Sequence, residues 1–121
     1  MKSKHIFLNL FFIKFPITAM TSIVHRVTGL FLFLCIPIFL YFLKISLASE
    51  SSFLLAKNLF DSFYIKFFLF IFLSSFIYHF IMGVKHIIMD LGYFEGKTSS
   101  SNFSLFALIL SVLLIFLSVL V

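Results

Sequence analysis

Three stretches of this chain carry no Lys, Arg, Asp or Glu, and each is long enough to approach a full crossing of a bilayer. They are residues 27–43, 67–84 and 98–121, with 17, 18 and 24 residues. A hydrocarbon core of ~30 Å needs about 20 helical residues. In lipid every backbone N–H and C=O has to be paired within the protein, which excludes open strands and leaves helices. The period-two alternation of a membrane barrel is absent. Composition agrees, with 63% hydrophobic and 11% charged residues and a mean hydropathy of +1.25, where a soluble domain carries about a quarter charged residues. The expected fold is an all-α membrane protein, one domain over residues 1–121, with transmembrane helices at about 17–45, 61–91 and 103–121.

The flanks of these spans set expectations of their own. Residues 1–13 look superficially like a signal peptide, but Lys14-Phe15-Pro16 breaks the run before any small-residue cleavage site, so the segment reads as retained. With Lys2, Lys4 and Lys14 near headgroups, it is expected at the membrane surface. Pro16 falls at or just before the first helical turn, where a missing N–H is harmless. The serine-rich connection from Lys44 to Lys66 reads as solvated, with a short helix around Ser52–Phe63. Cys35 lies inside a span and has no partner for a disulfide or a metal motif. Twenty-one Phe and no Trp reads as the habit of an AT-rich coding sequence. Six cations (Lys2, Lys4, Lys14, Arg26, Lys85, Lys97) flank one side and three (Lys44, Lys57, Lys66) the other. The excess marks the inside, placing the N-terminus in the cytoplasm or a mitochondrial matrix.

Two polar constellations interrupt the apolar pattern, both towards that inner side. On the second helix His79, Gly83, His86 and Asp90 recur at spacings of four, three and four, which places them on one stripe. An ionisable side chain within a bilayer costs ~2.5–3.5 kcal/mol on insertion scales and calls for a partner. Helix–helix hydrogen bonding is the plain account of His79. A cofactor seat is the stronger one, because Gly83 leaves the backbone open to a flat group. On the first helix Ser22, Arg26 and Gly29 share a face, with His25 and Thr28 beside them. A snorkelling anchor needs only Arg26; the neighbouring hydroxyls and imidazole suggest a binding site. Asp90 is a candidate proton relay from the aqueous side.

Taken together, Phe15-Pro16-Ile17-Thr18-Ala19-Met20-Thr21-Ser22-Ile23-Val24-His25-Arg26-Val27-Thr28-Gly29 and His79-x3-Gly83-x2-His86-x3-Asp90-x-Gly92 resemble the cytochrome b membrane-anchor subunit of succinate dehydrogenase, respiratory complex II. The resemblance implies that His79 is the axial ligand of a b-type haem iron, with the second ligand from another membrane-anchor subunit in a heteromeric helical bundle. It places Ser22 and Arg26 in the ubiquinone pocket and His25 and Arg26 near the haem propionates. His86 and Asp90 match the polar end of the second helix. Lys85 stands where relatives commonly carry Arg, which keeps the charge and loses the planar fork. From the residues themselves, His5, His25 and His86 are all expected nearer the inner interface than His79, so this chain has no second ligand at that depth. It has no dinucleotide fingerprint and no cysteine set for iron–sulfur clusters. The implied partners are therefore a flavoprotein subunit and an iron–sulfur subunit docked on the inner face, and the chain is not catalytic alone. The implied location is a bacterial inner membrane or a mitochondrial one. A fumarate reductase anchor and a cofactor-free scaffold or assembly protein are the alternatives.

Overall fold

A computed structural model describes residues 16–120. The expected surface segment at residues 1–15, with Lys2, Lys4 and Lys14, lies outside the described residues. Four helices follow in order: α1 (Ile17–Ser46), α2 (Glu50–Leu59), α3 (Phe63–Asp90) and α4 (Lys97–Leu120), with no strand among the described residues. Three of them, α1, α3 and α4, are long and apolar enough to cross a membrane. Most of their large apolar side chains, among them Leu30, Phe33, Phe80 and Phe116, point away from the chain's own interior. The chain is a multi-pass, all-α membrane protein.

α1 has 30 residues and α3 has 28, or about 45 and 42 Å at 1.5 Å per residue, against a hydrocarbon thickness of ~30 Å. Their excess carries the polar residues near the N-terminus of α1 and the C-terminus of α3. α1 starts directly after Pro16, whose carbonyl accepts from the N–H groups of Ala19 and Met20 at 3.0 and 3.2 Å. It runs unbroken through Pro37. α2 is shorter than the expected Ser52–Phe63 element and begins two residues earlier, because a reciprocal capping box between Ser49 and Ser52 starts it. The Ser52 hydroxyl also donates to the Ile45 carbonyl at 2.8 Å, tying α2 to the last turn of α1.

α3 ends before Gly92, whose φ of +88° reverses the chain. α4 then begins at Lys97, six residues before the expected start at 103. The polar run Thr98–Asn102 is helical, closed by a 2.7 Å bond from the Ser100 N–H to the Gly96 carbonyl. Ser104 and Ser111 donate their hydroxyls to the carbonyls of Ser100 and Ala107, one turn back, at 2.8 and 2.7 Å. Thus satisfied, they can be buried. Ser104, Ala107 and Ser111 form a seam of small residues, which lets α4 lie close against α3 and α1. α1 and α3 pack antiparallel through aromatic contacts such as Phe39–Phe72, with ring centroids 4.5 Å apart.

Candidate functional site

The N-terminal half of α1 and the C-terminal half of α3 bring three histidines together. The Nδ1 of His79 lies 3.0 Å from the backbone carbonyl of His25. A carbonyl only accepts, so Nδ1 carries the proton and Nε2 keeps the lone pair. Thr28 closes the same side, with its Oγ1 3.4 Å from Nδ1 and 2.9 Å from the His25 carbonyl. Nε2 has no hydrogen-bond partner among the described residues.

Gly29 makes this approach possible. A Cβ at that position would stand 2.7 Å from Cε1 of His79 and 3.3 Å from Nδ1. Beyond it a groove of about 540 Å³ runs along α1 and α3, lined by Gly29, Leu32, Ile36, Phe72, Phe76 and His79. Its only titratable group is the imidazole. A flat apolar group carrying a metal would find here a wall of aliphatic and aromatic carbon and one nitrogen lone pair.

His25 corrects one expectation. Its ring stacks face to face on that of His79, with centroids 4.1 Å apart and planes 5° from parallel, so it reaches the depth of His79. Gly83 leaves the space into which His25 fits: a Cβ on Gly83 would meet His25 Nε2 at 3.6 Å. The gap assigned to a flat cofactor is thus filled by an imidazole, and the glycine at closest approach is Gly29. His25 Nε2 is buried without a hydrogen-bond partner. His86 follows, its ring 5.1 Å from that of His25 and tilted by 52°.

The remaining predicted residues surround this row. Ser22 is half-buried and Arg26 exposed on α1, while Asp90 ends α3 and is exposed. The one ion pair among the described residues, Lys66–Asp61 at 3.6 Å, lies at the opposite end of α3, so Arg26, Lys85 and Asp90 have none among them. Lys85, expected among the cations of the inner surface, is 3% exposed and lines a groove between α3 and α4 with Val84, Ile88, Phe106 and Ala107. Thr28 and Gly29 were visible in sequence only as part of a polar α1 face. Their contact with His79 depends on how α1 is rotated against α3. Among the described residues no three His, Cys, Asp or Glu are arranged to hold a bare metal ion.

Residues 1–120 match the family described as succinate dehydrogenase/fumarate reductase transmembrane subunit. The chain is 41% identical over 83 residues to a protein of Coxiella burnetii (strain RSA 493 / Nine Mile phase I) named succinate dehydrogenase cytochrome b556 subunit, over 68% of this chain and 66% of that one. It is 37% identical over 108 residues to a succinate dehydrogenase cytochrome b560 subunit of Chondrus crispus, over 83% and 82%.

Proposed function

The chain belongs to the succinate dehydrogenase/fumarate reductase transmembrane subunit family, and from that premise we propose that it is the cytochrome b anchor of a succinate:ubiquinone oxidoreductase. On this reading it binds haem b and forms part of the quinone-reduction site, but is not catalytic by itself. The observation that carries the reading is the Nδ1 of His79 held on the His25 carbonyl, which leaves Nε2 free beside an apolar groove. The names of both relatives, succinate dehydrogenase cytochromes, favour this over a fumarate reductase anchor or a cofactor-free scaffold.

Haem, when bound, supplies one-electron redox chemistry. His79 would hold its iron through Nε2, with Thr28 and the His25 carbonyl fixing ring angle and tautomer. His25 cannot be the second ligand in this arrangement. Imidazole lone pairs lie in the ring plane, and two rings stacked at 4.1 Å do not direct them at one metal. On this reading the other ligand would come from a second anchor subunit. The unpartnered Nε2 of His25, with Arg26 and His86, suits the propionate side.

Quinone enters from lipid at the inner end of α1. Ser22 donates to one carbonyl oxygen, Arg26 stabilises the charge that accumulates on reduction, and Asp90, exposed at the end of α3, relays protons from the aqueous side. Electrons come from succinate through flavoprotein and iron–sulfur subunits docked on that face.

The purified complex tests this directly. It should show a reduced b-type band, and Ser22→Ala should lower quinone reduction about threefold to tenfold, the worth of one hydroxyl hydrogen bond. Arg26→Leu should lower it about tenfold to a hundredfold, since a charge is lost as well. Succinate oxidation by an artificial soluble acceptor should persist in both. No b-type band refutes the cytochrome; equal loss of both activities means the complex has come apart and refutes a local quinone defect.

We place the N-terminus on the inner side, in a bacterial cytoplasm or a mitochondrial matrix, on the six-to-three cation bias. A reporter fused after Val121 should read as periplasmic, or as intermembrane-space in a mitochondrion. A cytoplasmic signal would overturn the shared inner placement of both sites.

A further inference from the structure

Successive residues of α3 each make a hydrogen bond to α1. The Tyr78 hydroxyl donates to the Thr21 carbonyl at 3.0 Å, and His79 Nδ1–H donates to the His25 carbonyl at 3.0 Å. The acceptors are four residues apart, so they stand one above the other, ~6 Å apart along the axis of α1. Both carbonyls already serve the helix ladder; the Thr21 carbonyl uses its second lone pair for Tyr78, and the His25 carbonyl is shared between His79 and the Thr28 hydroxyl. The residue after each acceptor is a candidate quinone contact: Ser22 follows Thr21 and Arg26 follows His25.

A single bond between helices is a pivot, about which one helix can still rock and turn. A second bond one turn away removes that freedom. The His79 bond alone would leave the Ser22 end of α1 free to swing; the Tyr78 bond fixes it. Thr21 at the contact is 4% exposed, so water does not readily replace the phenol as donor.

We propose that Tyr78 is a positioning residue of the quinone pocket: with His79 it holds α1 at two points, and its hydroxyl sets the height and rotation at which Ser22 and Arg26 meet the quinone. This rests on the quinone reading of Ser22 given above. In this role Tyr78 acts through the α1 backbone. Because small displacements of positioned groups weaken transition-state contacts steeply, loss of one anchoring bond is felt at the pocket while the haem ligand keeps its own.

The test uses the assembled complex, normalised to its reduced haem band, with Tyr78→Phe, Ser22→Ala and the double variant. Tyr78→Phe should raise the quinone KM about threefold to tenfold, the worth of one hydrogen bond, and leave the low-spin haem spectrum unchanged. The double variant should show less than the product of the two single effects, because the placing of Ser22 loses its importance once the hydroxyl is gone. An unchanged quinone KM in Tyr78→Phe overturns the proposal. So do effects that multiply in full, and so does loss of the haem spectrum, since the bond would then hold the bundle together without serving one pocket. If Ser22→Ala alone leaves the KM unmoved, the quinone reading of Ser22 falls and Tyr78 with it. Full multiplication beside a clear Ser22→Ala effect removes only the role of Tyr78.

Discussion

His79→Leu is expected to abolish the low-spin b-type spectrum of the assembled complex or convert it to a five-coordinate one. His79 is the one histidine of the row whose ring is oriented by a carbonyl and a hydroxyl, at 3.0 and 3.4 Å, with the far nitrogen free. Leucine keeps the volume and removes the ligand. His86→Leu serves as the comparison: its ring touches the row only through His25, at 5.1 Å, and it should keep six-coordinate haem with at most a shifted potential. The reverse pattern would place the ligand at His86. If both variants keep the spectrum, the haem is held elsewhere in the complex and the central reading fails.

The second large effect is expected at Gly29, a residue with no polar side chain to advertise it. In Gly29→Ala the new methyl would stand 2.7 Å from His79 Cε1, closer than real carbon atoms pack. Either α1 backs away or the imidazole turns and gives up its bond to His25. An unsatisfied buried donor costs ~1–3 kcal/mol, and the nitrogen proposed as ligand is displaced. Haem content should fall and the remaining spectrum broaden or shift, with flavin content unchanged. Gly83→Ala is the natural comparison, because its methyl would meet His25 Nε2 at an ordinary 3.6 Å; that variant should retain near-normal haem. Equal damage at the two glycines, or an unaltered Gly29→Ala spectrum, would refute this account of the close approach.

The features legible in sequence were those that depend on one helix at a time. Charge-free lengths located the three spans, and the spacing of His79, Gly83, His86 and Asp90 located the polar stripe of α3. The start of α1 after Pro16 was equally local. What escaped depends on pairs of helices. Nothing in the period of α1 says that Gly29, not Gly83, faces His79 at closest range. Nothing in it says that His25 slides under the His79 ring, which removes the depth argument for a second ligand and replaces it with one from ring geometry. The late expected start of α4 came from reading Thr98–Asn102 as loop. Serines are indifferent helix formers, but their hydroxyls can bond back to the preceding turn, as Ser104 and Ser111 do. Lys85 was counted as a surface cation because charge alone was visible; its burial against α4 is set by the rotation of α3.

The seam of Ser104, Ala107 and Ser111 on α4 has a counterpart in where the phenylalanines lie. None of the most deeply buried side chains of the described residues is Phe; they are Met82, Cys35, Ser104 and Ser111. Phe33, Phe63, Phe80, Phe106 and Phe116 are turned outward. A fluid hydrocarbon neighbour accepts almost any apolar shape, whereas the close approach of α4 calls for small residues at the contact. The outer faces of these helices therefore tolerate the phenylalanine-rich composition of the chain, while the seating of α4 on its neighbours is set by the three small residues of its seam.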